Sequence, residues 1–303
     1  MAVYVVGDFL RETRLRKGYT QEEVSYGICT PASLSRIENG AQKPGRLILE
    51  KLFERLGTEN NLFNSFVSRE EMELYIAIQT LIRNVTDGDL HRIEEQIDIV
   101  EKLTQNTSEL ERQSLFWAKG ELATQKYGND CEAMDCFMKA VQITLPDFDG
   151  KNPLRNHLLT FDEITIINSI AVRHGENGDL LTAIQLDMWL KEYMENKIID
   201  GRMKTAKYPM ILYNLSYWLG EENCHNEALK MAEQGVDFCV KYGNLPAFPI
   251  LMFNQGAALA ELERYDEAKK CFLQSITIFE AMKKPSQVQT AIDWCREHYK
   301  IEF

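Results

Sequence analysis

Between residues 6 and 56 the chain is punctuated so closely that only short helices fit between the stops. Phe9, Leu10 and Thr13 share one face of a helix running from about Val6 to Lys17, and Gly18 ends it as a C-cap glycine. Thr20, with Glu23 three residues on, has the pattern of a capping box that opens a second helix carrying Val24 and Ile28. After a turn at Cys29–Thr30, Pro31 takes the first position of a third helix, where its missing N–H goes unneeded. Leu34 and Ile37 point inward from that helix, and Asn39-Gly40 stops it. Pro44 then precedes a fourth helix, Arg46 to Leu56, with Leu47, Leu49, Leu52, Phe53 and Leu56.

Two short helices joined by a tight turn inside a four-helix head form the geometry that lays one helix in the major groove of DNA. The strings R-x-x-K-G-Y-T-Q-E-E-V (from Arg14) and S-L-S-R-I-E-N-G-x-x-x-P (from Ser33) closely resemble the XRE family of phage-repressor-like helix-turn-helix regulators, over residues 7–57. The resemblance implies a structural ion pair between Arg14 and Glu38. It also implies phosphate contacts from Gln21, Asn39 and Lys43, and a base-reading face formed by Pro31, Ala32, Ser33 and Arg36. Arg36 is the candidate for bidentate guanine contact. Pro31 and Ala32 carry no side-chain donor, which shifts weight to thymine-methyl contact and DNA shape.

The formal net charge of −12 conceals a split. Residues 1–66 hold nine Lys/Arg and eight Asp/Glu, whereas the remainder holds 25 basic and 38 acidic residues. The head is therefore near neutral and does not repel a polyanion. The seven cysteines are scattered without a CxxC pair, and the N-terminus has no secretory pattern, so reduced thiols in a cytoplasm are expected. No apolar run approaches the roughly 20 residues of a membrane span. No phosphate loop, nucleophile elbow or metal-ligand spacing appears, so no enzyme, cofactor or metal is expected.

Beyond Gly57 the pattern is helical to the end, giving an all-α fold expectation. A long helix is expected from about Ser68 to Asn84, and later helices are separated by turn signals at Asp87-Gly88, Gly128-Asn129, Asp149-Gly150, Asn177-Gly178-Asp179 and Tyr242-Gly243. From Leu251 the spacing of Gly256, Leu259, Tyr265, Ala268 and Phe272 is close to the tetratricopeptide pattern. Small residues at Gly256 and Ala268 let two helices approach, and Tyr265 and Phe272 are expected to fill between hairpins. Degenerate copies follow Trp117, Gly120, Ala133, Phe137 and Ala140; Ala171, Gly178, Ala183 and Leu186; and Tyr213, Tyr217, Ala228 and Ala232. Met72 to Leu103 supplies a further pair and Ser286 to Tyr299 a capping helix. Trp117, Trp189, Trp218 and Trp294 are expected in the core. The chain thus reads as a helix-turn-helix domain with linker at 1–66, followed by a tetratricopeptide-like α-solenoid at 67–303 for peptide binding and dimerisation. Gly57–Ser68 is the expected hinge.

Asn168, Asn214 and Asn254 lie 15, 14 and 14 residues before the alanine of their own repeats, at nearly one place on three successive first helices. An amide both donates and accepts, so a ladder of three can hold a peptide backbone, with Tyr217 as a pocket wall. The alternative is that these amides bond adjacent hairpins. The combination of head and repeats resembles the Rgg/PlcR/PrgX group of peptide-responsive quorum-sensing regulators of Gram-positive bacteria. That resemblance implies a cytoplasmic homodimer, with no membrane contact, that binds double-stranded DNA and a short signalling peptide. Two other readings stay open. The repeats could bind a protein partner, as in an anti-activator or phage lysis–lysogeny control, or the chain could be a scaffold whose head has lost DNA binding.

Overall fold

The structure, a computed structural model, describes residues 6–58, 69–105, 109–197 and 199–301. Among these there are fifteen α-helices, a short 3-10 turn at Glu109–Arg112 and no strand. The chain divides into two compact units, Met1–Arg173 with Ile198–Asp200, and His174–Lys197 with Gly201–Phe303.

The first unit opens with the head: α1 (Val6–Arg16), α2 (Gln21–Ser25), α3 (Pro31–Glu38) and α4 (Arg46–Arg55). The Thr20 capping box forms with both of its bonds, and the Thr30 hydroxyl accepts from the Ser33 N–H at the start of α3. α2 stops at Ser25, so Ile28 reaches the core from the following turn instead of from the helix expected to carry it. Leu10, Val24, Leu34, Ile37, Leu52, Phe53 and Leu56 are buried together, and Leu110 and Leu158 join them from outside the head. The head therefore closes its core partly with side chains from further along the same unit.

Two helical pairs follow, α5 (Arg69–Asp87) with α6 (Leu90–Leu103) and α7 (Gln113–Tyr127) with α8 (Asp130–Gln142), and then α9 (Phe161–Glu176), whose residues up to Arg173 belong to this unit. Gln113 is fully buried and donates to the Ala140 carbonyl and the Thr144 hydroxyl, tying the start of α7 to the end of α8. The second unit contains α10 (Leu180–Asn196), α11 (Gly201–Glu221) with α12 (His225–Tyr242), α13 (Phe248–Glu261) with α14 (Tyr265–Ala281), and the closing α15 (Pro285–Tyr299). The expected hinge falls largely on residues 59–68, which lie outside the described residues.

Gly120 and Gly256 do the same work in different hairpins. A methyl group on Gly120 would sit 2.5 Å from the Phe137 ring, and one on Gly256 would sit 2.8 Å from the Phe272 ring. The paired helix thus packs an aromatic ring directly on glycine backbone. Phe272 is fully buried as expected, but Tyr265 is 57% exposed and fills nothing between hairpins. It is the first residue of α14, where its side chain projects past the packed face. Trp117, Trp189 and Trp218 are buried. Trp294 on α15 meets Phe253 edge-on at 5.2 Å and stacks on His298 at 4.3 Å, closing the last hairpin.

Gly120→Ala and Gly256→Ala should each destabilise by roughly 1–3 kcal/mol through overpacking. Gly220→Ala, at a helical position with nothing within 4 Å, should stabilise by a few tenths to about 1 kcal/mol. Denaturant midpoints of the three variants check the contrast.

Candidate nucleic-acid interface

Glu38 organises the head. Its carboxylate takes two bonds from Arg14, Nε at 2.6 Å and Nη2 at 2.8 Å, in a buried bidentate pair between α1 and α3. Arg14 also donates to the Tyr19 carbonyl at 2.9 Å, so one guanidinium joins α1, α3 and the turn before α2. The Glu38 hydrogen bond, set against burial, raises the Arg14 pKa. The ion pair implied by the family resemblance is therefore present. Gln21 behaves differently from expectation: its side-chain amide turns inward and donates to Glu38 at 2.7 Å. A carboxylate has about four lone-pair sites, and the Arg14 fork leaves room for this further donor.

With its inner face tied down, α3 presents Pro31, Ala32 and Arg36 to solvent, with Ser33 half-buried beside them. The Arg36 guanidinium is held by Gln42 at 3.2 Å and by the Ser33 hydroxyl at 3.3 Å. Those contacts engage two of its five N–H groups. Asn39 is exposed just past α3 and accepts from Arg11 at 3.3 Å, and Lys43 is exposed further on. Of the expected base-reading and phosphate-facing positions, Pro31, Ala32, Arg36, Asn39 and Lys43 are exposed, Ser33 is half-buried and the Gln21 amide is turned to Glu38.

The asparagines of the body are engaged with protein. Asn214 is buried and donates to Asp187 on α10 at 3.0 Å. Asn254 is half-buried and donates to the Ser216 hydroxyl at 2.8 Å and the Tyr213 carbonyl at 3.3 Å on α11. Both amides therefore tie neighbouring hairpins of the second unit. Asn168 is half-buried on α9, in the first unit. Tyr217 is 50% exposed, one turn from Tyr213. Burial raises both phenol pKa values, and the Glu176 carboxylate raises them further; Glu221 adds to the shift at Tyr217. In the first unit Trp117 donates to the Ser169 hydroxyl, which donates in turn to Glu121 at 2.6 Å. That chain joins α7 to α9 across more than forty residues of sequence, and no local pattern announces it. Among the described residues no group of three or more His, Cys, Asp or Glu side chains is arranged to hold a metal ion. No helix among them is long and apolar enough to cross a membrane.

A four-helix head exposing one edge of its third helix, followed by helical hairpins, defines a helix-turn-helix DNA-binding protein with a repeat body. Residues 5–66 match the family profile of the helix-turn-helix domain. The uncharacterized HTH-type transcriptional regulator YqaF of Bacillus subtilis (strain 168) is 38% identical over 63 residues, which are 20% of this chain and 83% of that protein. The chain belongs to the HTH-type transcriptional regulators. Over nearly its whole length it shares a fold with PlcR of Bacillus thuringiensis. The structure of PlcR in complex with the peptide PapR7 and DNA has a TM-score of 0.63 at 18% identity, covering 96% of this chain and 99% of that one. The apo form of PlcR gives 0.59 at 17%, covering 95% and 98%.

Glu38→Ala leaves a buried guanidinium without its carboxylate and should destabilise the head by about 3–5 kcal/mol. Amide hydrogen exchange resolved to α1–α4 measures it. Loss of protection no greater than in Gln21→Ala would show that the pair does not hold the head together.

Proposed function

We propose that this protein is a sequence-specific, homodimeric transcriptional regulator, working in the cytoplasm, whose α3 reads the DNA major groove and whose repeats are controlled by a short signalling peptide. The observation that carries the DNA half is the exposed α3 edge, with Arg36 held outward by Ser33 and Gln42. Guanidinium donors so placed suit the two acceptors on a guanine edge. Asn39 and Lys43 flank that edge as backbone contacts. Gln21 acts in this reading mainly as a buttress of Glu38, with its phosphate contact reached only if the amide reorients.

The peptide half is supported by the fold shared with PlcR, whose structure holds PapR7 and DNA, and by the three asparagines at one repeat position. Asn254 already spends its N–H groups on α11, so it would meet a peptide through its carbonyl oxygen, whereas Asn214, buried and bonded to Asp187, would have to be uncovered first. Tyr217 supplies an exposed aromatic wall. Two heads must sit about one DNA turn, roughly 34 Å, apart to read two half-sites. A peptide that binds one arrangement of the dimer better shifts the population toward it.

Selection of bound sequences from random DNA with the full-length protein tests the first half. Arg36→Ala should remove the preference at one base position, a loss of about 1–3 kcal/mol. Lys43→Ala should weaken all sequences alike and reduce the salt slope by about 1. Unchanged base preference in Arg36→Ala would remove α3 from the readout. For the second half, synthetic peptides encoded beside the gene are titrated by calorimetry. The triple variant Asn168→Ala, Asn214→Ala and Asn254→Ala should bind at least tenfold more weakly, and equal affinity would remove the ladder.

A further inference from the structure

The connection between Thr58 and Arg69 is ten residues long and could span about 33 Å if extended, so the chain alone leaves the orientation of the head undetermined. Something else orients it. α4 lies against the first turn of α9 and meets it with charges. Arg55 donates to Glu163 at 2.7 Å, and neither side chain has any exposed surface. The same guanidinium donates to the Tyr26 carbonyl in the head and, at 3.4 Å, to the Thr144 carbonyl after α8. Lys51, also buried, pairs with Asp162. Glu54 accepts the Phe161 N–H at 3.1 Å. Glu163 serves both sides at once, because its other oxygen caps α9 by accepting the Thr160 N–H at 2.6 Å.

The turn after α2 adds a second point of fixation. Tyr26 donates to Asp147, and its ring meets the His157 ring edge-on at 4.5 Å. Gly27, at φ +68°, lies so close to Thr144 that a Cβ would fall 2.0 Å from the Thr144 carbonyl oxygen. Only glycine permits both that backbone angle and that approach. Leu110, Ile143 and Leu158 fill the space between, within the head's own core.

Apolar contact alone tolerates sliding. A buried ion pair does not, because each partner left unpaired carries its full desolvation cost. Burial by itself would lower the Lys51 pKa, yet Asp162, Glu54 and Glu50 outweigh it and hold it raised. Sliding the joint would therefore strand buried charges. α3 follows directly from the turn fixed at Tyr26 and Gly27, and its DNA-facing edge takes no part in the joint.

We infer that Lys51, Arg55, Asp162 and Glu163 are positioning residues for DNA recognition, which bolt the recognition helix to α9 and so set the separation at which two heads accept their half-sites. The inference rests on the dimeric reading above. One base pair of added spacing rotates a half-site by roughly 34° about the DNA axis, so a rigid mount discriminates spacing and a tethered head does not. α9 also carries Asn168, so a ligand there acts on the helix that holds the head.

The test presents full-length protein with duplexes carrying two selected half-sites separated by spacers of every length over about one helical turn. Wild type should prefer one spacing at least tenfold over its neighbours. Glu163→Gln with Asp162→Asn should flatten that preference below about threefold while the half-site sequence stays the same, a change that mere loss of stability does not produce. The swap Lys51→Asp with Asp162→Lys should restore a sharp preference relative to Lys51→Asp alone. Should the α9 variant fail to fold, Tyr26→Phe with Asp147→Asn, at the edge of the joint, reads out the same loss. A wild type indifferent to spacing, or joint variants as selective as wild type, overturns the positioning role. Selection of single half-sites only would instead overturn the dimer, and this inference with it.

Discussion

A guanidinium with no exposed surface must have a carboxylate in reach, and in this protein that requirement is met across 108 residues by Arg55 and Glu163. The pair costs both groups their hydration, and either group left without the other would carry that cost uncompensated. Around it the other contacts fall into place. Lys51 finds Asp162, Glu54 finds the Phe161 N–H, and the α2–α3 turn closes onto Thr144. Burial drives the Glu54 carboxyl well above the usual carboxylate range, opposed by Lys51 and reinforced by Asp162 and Glu50. The head uses the same device internally. Arg14 and Glu38 lock α1 to α3, and Gln21 takes a remaining acceptor site.

Features set by neighbouring residues were legible in the sequence. Thr20 with Glu23 makes its capping box, Thr30 with Pro31 opens α3, and the glycines at 88, 128, 150, 178 and 243 all adopt positive φ where turns were expected. Each is decided within a few residues, so the chain states it directly. The close approach at Gly256 was legible for the same reason, because a tetratricopeptide-like spacing names the residue that must be small. Tyr265 was misplaced because its position in the pattern says which turn of helix it begins and not which way the side chain leaves it.

Features decided between distant segments were not legible. Nothing near Arg55 says that it is buried, and nothing near Glu163 says that it faces a cation. Gln21 read as an outward donor because its position opens a helix, and only the fold shows Glu38 within its reach. The asparagine register was visible, but the bonds that Asn214 and Asn254 make to neighbouring hairpins depend on how helices stack. A repeat position fixes where an amide sits and leaves open what it faces.

The two scales meet in the weakness of a single head. Residues 1–66 are nearly neutral, and α3 offers one long donor, Arg36, beside two side chains without donors. Phosphate neutralisation supplies much of the affinity for DNA, and a near-neutral head has little to give. In the dimeric reading proposed above, useful binding comes from engaging two half-sites at once. That gain is an effective concentration, large when the geometry matches the span and absent when it does not. A weak head on a loose tether would spread the gain over many spacings. On the same reading, a weak head held by buried charges concentrates it on one, and makes occupancy of DNA answerable to whatever moves α9.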